Sequence, residues 1–234
     1  MTAACSGGAG DIVYSIPVMR ALGVNNYAVK VNHYEIPDMN LFKSVQSLLI
    51  SQGFECIATS GATVWGEFEP GLKYDINIDS FRNQRVRGSK HIIQSMAAEF
   101  GVELPDWSNP WLSDIKPVKS FDNLIHLTKR WRERSHIKWS HVLTQIINRK
   151  KSIAFIGLPS EYESFCIESG LEIPYLETDN LLQFAELIQG CDALYCNQSV
   201  GLAIAQGLDK KYFLECKPNK QNCLMYTKNE NILK

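Results

Sequence analysis

The sequence predicts an α/β fold in two halves, each a mostly parallel sheet covered by helices. Two observations predict it. Short apolar segments of strand length alternate with longer segments of helical spacing along most of the chain. A stretch rich in proline and tryptophan, residues 102–119, interrupts that alternation near its middle. The length agrees: 234 residues, 45% of them hydrophobic, can form one large core or two units of about 100–120 residues, but not three.

In order, residues 6–22 open with Ser6, Gly7, Gly8, Ala9, Gly10 and Asp11 and then turn to apolar positions at helical spacing. A loop feeding a helix is expected, with Ile12, Ser15, Ile16 and Met19 on one face. Pro17 fits such a helix only in its first turn or at a kink. Strands are expected at 27–31 and 54–58, on either side of an amphipathic helix at 41–52 that turns Leu41, Val45, Leu48 and Leu49 inward. A strand at 74–78, with Asp75 and Asp79 at its margins, precedes a helix at 91–100 that buries Ile92, Ile93, Met96, Ala97 and Phe100.

Between the halves, Pro105, Pro110 and Pro117 break regular structure while Trp107 and Trp111 can pin the extended chain to a surface. The expected division is therefore residues 1–118 and 119–234. In the second half, strands are expected at 123–127, 152–156, 193–196 and 211–215, and helices at 139–147, 161–168, 181–188 and 200–208. The polar tail after Pro218 is expected to pack across a neighbouring element without joining the sheet. No internal repeat is detectable.

Composition excludes several classes. With 24 Lys plus Arg against 25 Asp plus Glu, the net charge of -1 rules out a surface that is one basic nucleic-acid footprint, and leaves room for a local basic face. Seven singly scattered cysteines read as reduced thiols of a cytoplasmic protein. No basic region followed by an apolar run opens the chain, and no stretch nears about 18 uninterrupted apolar residues. Neither secretion nor a membrane span is expected. The five histidines form no HExxH or HxH set, so no metal site is expected, and no GxSxG elbow is present.

Four segments carry candidate chemistry. Gly7, Gly8 and Gly10 fit neither GxGxxG nor a P-loop, but glycines let the backbone approach a ligand closely. Asp11, directly after them, can cap the helix or point its carboxylate into a cleft. Past the strand at 123–127 runs Lys129, Arg130, Trp131, Arg132, Glu133, Arg134, the core of a patch holding eight basic residues and one acid between Lys129 and Lys151. The end of a parallel strand is where open α/β sheets bind ligands. Arginines there, Arg130 and Arg132 among them, could hold an anion through bidentate contacts, with Lys129 and His126 beside them; a solvated basic face or a polynucleotide ridge would carry the same residues.

At 197–201, Asn197, Gln198, Ser199 and Gly201 lead into a helix rich in small residues, whose first-turn N–H groups can receive a phosphate. A plain capped helix would use the same residues. Ser160 with Glu163 reads as a capping box, and Glu161 and Glu215, near strand ends, are possible sugar or ribose contacts.

The opening segment and residues 189–208 resemble the lipopolysaccharide heptosyltransferase-like glycosyltransferases. In that family a Gly-Asp pair precedes the first helix, and a late Asp/Asn-x-Ser/Thr-Gly loop opens a helix of small residues. The resemblance implies a GT-B-like fold of two Rossmann-like domains, the first on the acceptor side and the second binding the donor. It implies a nucleotide-sugar as co-substrate and no cofactor. Asp11 would be the general base in an inverting, metal-independent transfer to a hydroxyl acceptor. Lys129, Arg130, Arg132, Asn197, Gln198, Ser199 and Gly201 would bind the donor. Asn197 stands where the family often has aspartate. A saccharide or lipopolysaccharide-core acceptor is implied; the basic patch also admits a modified base in DNA, and the same shape would serve a non-catalytic binding or scaffold protein.

Overall fold

The computed structural model describes residues 1–32, 40–60, 67–83, 91–104, 106, 109–129, 137–216, 222–225 and 229–233. Its first half holds strands β1 (Thr2–Cys5), β2 (Asn26–Lys30), β3 (Glu55–Thr59) and β4 (Ile76–Asn77), with helices α1 (Ala9–Ala21), α2 (Leu41–Ser51) and α3 (Ile92–Glu99). All pairings are parallel, in the order β3-β2-β1-β4. The second half holds β5 (Asn123–His126), α4 (Trp139–Asn148), β6 (Ile153–Ile156), α5 (Pro159–Ser169), β7 (Tyr175–Leu176), α6 (Leu181–Gly190), β8 (Ala193–Asn197), α7 (Val200–Gly207), β9 (Tyr212–Glu215) and β10 (Glu230–Ile232).

The second sheet is also parallel throughout and runs β10-β9-β8-β5-β6-β7. Counted within this half, that is the doubly wound order of a dinucleotide-binding fold, and its order reverses between β5 and β8. The first sheet has the corresponding reversal between β1 and β4.

Alternation along the strands separates two cores. Leu124, Ala154 and Leu194 join a large core that includes α1, α6 and α7, while their neighbours Ile125, Phe155 and Tyr195 join a smaller one with Trp139, Leu143 and Phe165. The large core is continuous across both halves, from Ala3, Ile12 and Met19 to Leu202, Ala205 and Leu214. It exists because α1 is apolar on nearly every side and lies directly on α7 and α3. The connecting chain reinforces the junction: Trp111 and Leu112 both donate their N–H to Gly207 O at 2.9 Å, and Val118 N–H donates to Glu186 O at 3.0 Å.

Several expectations need correction. Pro17 is half-buried and sits inside α1 beyond its first turn, leaving a kink as the expected accommodation. The strand expected at 74–78 is only two residues long and passes into a 3₁₀ turn, Ile78–Asn83. The tail does join the sheet, as β10 along β9. Helix α5 starts at Pro159, so Ser160 is not its cap; Glu161 Oε2 accepts from Leu158 N–H at 2.9 Å instead. Trp107 and Pro105 lie outside the described residues, while Trp111 is buried.

The basic patch is not one ridge. Lys129 follows the carboxyl end of β5, but α4 carries the chain back, so Arg149, Lys150 and Lys151 lie at the amino ends of the strands. There Lys151 Nζ pairs with Asp192 at 3.0 Å, and Lys119 Nζ with Asp192 at 2.9 Å and Asp122 at 3.2 Å. These exposed pairs contribute little to stability.

Candidate functional site

The two sheets turn their reversal points toward each other. The chain leaving β1 forms the Gly7–Gly8 loop and enters α1; the chain leaving β8 passes Gln198 and Ser199 and enters α7. The two helix starts abut. A Cβ built on Gly10 would lie 3.6 Å from both Cα and N of Val200 and 3.8 Å from the Ser199 carbonyl carbon. Neither N-cap residue caps its helix through a side chain: Gly8 is the N-cap of α1, and Ser199, in extended backbone, is that of α7. First-turn N–H groups lack intrahelical acceptors, and with the positive ends of two helix dipoles they favour an anion at this junction.

Asp11 lies in the first turn of α1 and does not cap it. Its N–H donates to Gly8 O at 3.0 Å, while its carboxylate, mostly buried, accepts from Arg82 Nη2 in an ion pair. Arg82 closes the 3₁₀ turn after β4. Asp79 in that turn is buried and accepts from Ser6 N–H at 2.8 Å and from Ser6 Oγ at 2.7 Å. Lys30, at the end of the neighbouring strand, is also buried; desolvation lowers its pKa, and the Asp79 charge opposes that shift. Cys5, fully buried behind Ser6, has its thiol pKa pushed well up by burial.

At the second reversal point, Asn197 is completely buried and serves as a clamp. Its Oδ1 accepts from Thr128 N–H at 3.1 Å and its Nδ2 donates to Thr128 O at 2.7 Å, which fixes the loop after β5 against the end of β8. Ser199 Oγ donates to Asn197 O at 3.2 Å. Gly201 permits a close approach that no other residue would: its Cβ would fall 2.5 Å from Cδ2 of His126. The His126 ring is wedged beneath the first turn of α7, with Nδ1 donating to Ile156 O at 3.0 Å and Phe184 edge-on at 5.0 Å. His126 Nε2 is buried with no hydrogen-bond partner among the described residues.

The halves are tied beside this junction by a buried polar cluster. Tyr14 Oη of α1 donates to Gln206 Oε1 of α7 at 2.8 Å, and Gln206 Nε2 donates to Cys223 O at 2.7 Å and Tyr212 Oη at 3.1 Å. His91 Nε2 stands 3.4 Å from the same Gln206 oxygen, and burial lowers its pKa to about 4.

Of the residues singled out from sequence, Gly7, Gly8, Gly10, Asp11, Asn197, Gln198, Ser199 and Gly201 gather at the two reversal points. Lys129 follows β5 and is exposed. Arg130 and Arg132 lie outside the described residues. Glu161 is engaged at the start of α5, and Glu215 is buried at the end of β9, where its Oε2 accepts from Trp139 Nε1 at 3.1 Å. Sequence reasoning missed Arg82 and Ser6, and noted Asp79 only as a strand margin. Among the described residues no group of three His, Cys, Asp or Glu side chains could hold a metal ion, and no helix is long and apolar enough to cross a membrane.

No protein-family profile matches the chain, and no curated protein matches it in sequence. Solved structures do. The E. coli heptosyltransferase WaaC with ADP-2-deoxy-2-fluoro heptose aligns over 100% of this chain and 92% of its own, at 13% identity and a TM-score of 0.56. A glycosyl transferase of family 9 from Veillonella parvula aligns over 99% and 86%, at 13% identity and a TM-score of 0.58. The dodecameric iron-containing heptosyltransferase TibC, in complex with ADP-D-beta-D-heptose, aligns over 100% of this chain and 62% of its own, at 13% identity and a TM-score of 0.62. Two parallel sheets with facing reversal points, superposable on these enzymes, give this chain the GT-B-like fold of the heptosyltransferase-like glycosyltransferases.

Proposed function

We propose that the protein is a glycosyltransferase that moves a sugar from a nucleotide-sugar donor to a hydroxyl of a saccharide acceptor. One observation carries the reading: the uncapped starts of α1 and α7 meet at Gly10 and Val200, which sets the Asp11 turn beside an anion-receiving helix. Asp11 takes the proton of the acceptor hydroxyl, and the oxygen attacks the anomeric carbon as the bond to the diphosphate breaks, with inversion. The N–H groups opening α7, with Lys129, Arg130 and Arg132 after β5, offset the charge on the departing diphosphate. Fixed donors of this kind can do that work without a metal. The Asn197 clamp holds the two donor-side loops in register.

The solved neighbours that carry ADP-heptose or its fluorinated analogue make ADP-heptose the first donor to try. The experiment is a calorimetric and thermal-shift screen of ADP-, UDP-, GDP- and CMP-linked sugars, followed by transfer assays with Asp11→Asn. A donor that binds Asp11→Asn as it binds the native protein, with transfer reduced by about 10²–10⁴-fold, supports the reading. Unchanged transfer in that variant, or no donor bound across the panel, refutes it in favour of a binding protein of the same shape.

A further inference from the structure

The carboxylate assigned as base is held by a chain of groups from three separate segments. Arg82 Nη2 pairs with Asp11 Oδ2, and Arg82 Nε stands 4.0 Å from Asp79 Oδ1. Asp79 is fixed in turn by Ser6, which donates both its N–H and its hydroxyl to Oδ2, while the Asp79 N–H donates to Asn77 Oδ1 at 3.0 Å. The Phe81 ring supports the guanidinium from one side, with Cζ 5.0 Å from its centroid. Ser6 follows β1, Asp79 and Arg82 follow β4, and Asp11 opens α1, so both sides of the first reversal point converge on one carboxylate.

We infer that Arg82 is a positioning residue for Asp11: by engaging Oδ2 it orients the carboxylate that receives the acceptor's proton. The inference rests on the transferase reading above. A guanidinium is planar and its donors are fixed in direction, so the Nη2 bond to Oδ2, with the Asp79 charge 4.0 Å from Nε and the Phe81 ring alongside holding the guanidinium, orients the Asp11 carboxylate. An ammonium group supplies the charge without that orientation. Misplacing a reacting group by about 1 Å can lower the rate about 10²-fold, which sets the size of effect expected here.

The test uses the full chain with Arg82→Ala, Arg82→Gln, Arg82→Lys and Asp11→Asn, each checked by thermal melting. Rates are measured with ADP-heptose and a heptose-free lipopolysaccharide core saccharide, and affinity for ADP by calorimetry. Arg82→Ala is expected to lower kcat about 10²-fold with ADP affinity changed less than twofold, and added guanidinium ion is expected to restore part of the rate. Arg82→Lys should fall between Arg82→Ala and the native protein; Arg82→Gln, which keeps the volume, repeats the comparison if Arg82→Ala melts early. A native kcat in Arg82→Ala overturns the inference. So does a rate loss that guanidinium leaves untouched and that comes with loss of ADP affinity, the pattern of a merely structural role. A second readout does not need turnover: the carbon-13 resonance of the Asp11 carboxyl, identified by its disappearance in Asp11→Asn, should move in Arg82→Ala. If it does not move, Arg82 does not hold Asp11 and the inference fails whatever the activity. If Asp11→Asn retains native transfer, the transferase mechanism itself fails, and the resonance still reports on the pair.

Discussion

Gly10 and Val200 face each other with room for one methyl group in ordinary van der Waals contact between them. Gly10→Ala should therefore be tolerated and, by restricting the unfolded chain, stabilise the protein by about 0.5 kcal/mol. Gly10→Leu should force α1 and α7 apart, costing about 1–3 kcal/mol and weakening donor binding at the same junction. Urea midpoints with donor calorimetry on both variants check the pair; equal behaviour of the two would mean the helix starts are not packed as described.

Asn197→Asp restores the residue common in the resembling family, yet it should harm this protein. The amide donates to Thr128 O, a bond a carboxylate cannot make, and a buried negative charge would face that carbonyl instead. Loss of about 3 kcal/mol is expected, with donor binding weakened because the loop after β5 is released. Chemical denaturation reads the first effect and calorimetry the second.

Gly201 and His126 should behave as a coupled pair. Gly201→Ala drives a methyl group into the imidazole edge and should cost about 1–3 kcal/mol. In Gly201→Ala with His126→Ala the obstruction is gone, so the double variant should lose less than the sum of the single losses. A double-mutant cycle with additive losses would contradict the packing.

Acid should weaken the junction through His91. Its ring accepts from Ile93 N–H at 3.2 Å through Nδ1 and is buried, so it resists protonation down to about pH 4. The unfolded chain binds this proton near pH 6.5, and between those values it holds more protons than the folded one. The stabilisation is thus complete above about pH 6.5 and is lost as pH falls toward 4, by about 3 kcal/mol in total. Melting temperatures across that window should drop steeply in the native protein and less in His91→Gln.

The alternation that predicts the two sheets is carried by pairs such as Leu124 and Ile125, where neighbouring apolar residues supply opposite cores, and such pairs can be read locally. Strand β1 escaped notice because Thr2, Ala3, Ala4 and Cys5 are small and lack the branched or aromatic character of strands; its place between β2 and β4 comes from burial on both faces. Strand β10 escaped because an edge strand needs backbone pairing more than apolar side chains. At the site, the glycines before Asp11 and the Ser199–Gly201 turn pointed to two helix starts, which the structure brings together, although neither Asp11 nor Ser199 caps its helix through a side chain. Arg82 was not legible, since its partner lies 71 residues away and nothing near it in sequence points there. The basic run from Lys129 to Lys151 does not share one face: Lys129 follows the carboxyl end of β5, while α4 carries the chain back so that Arg149, Lys150 and Lys151 lie at the amino ends of the strands.

The shared interior beneath α1 and α7 has a consequence for how the chain can be taken apart. Severing it within residues 102–119 would leave each fragment with a raw oily flank that its counterpart normally shields. Such fragments are expected to clump when expressed singly and to regain solubility when produced together, in contrast to modules that merely share a tether.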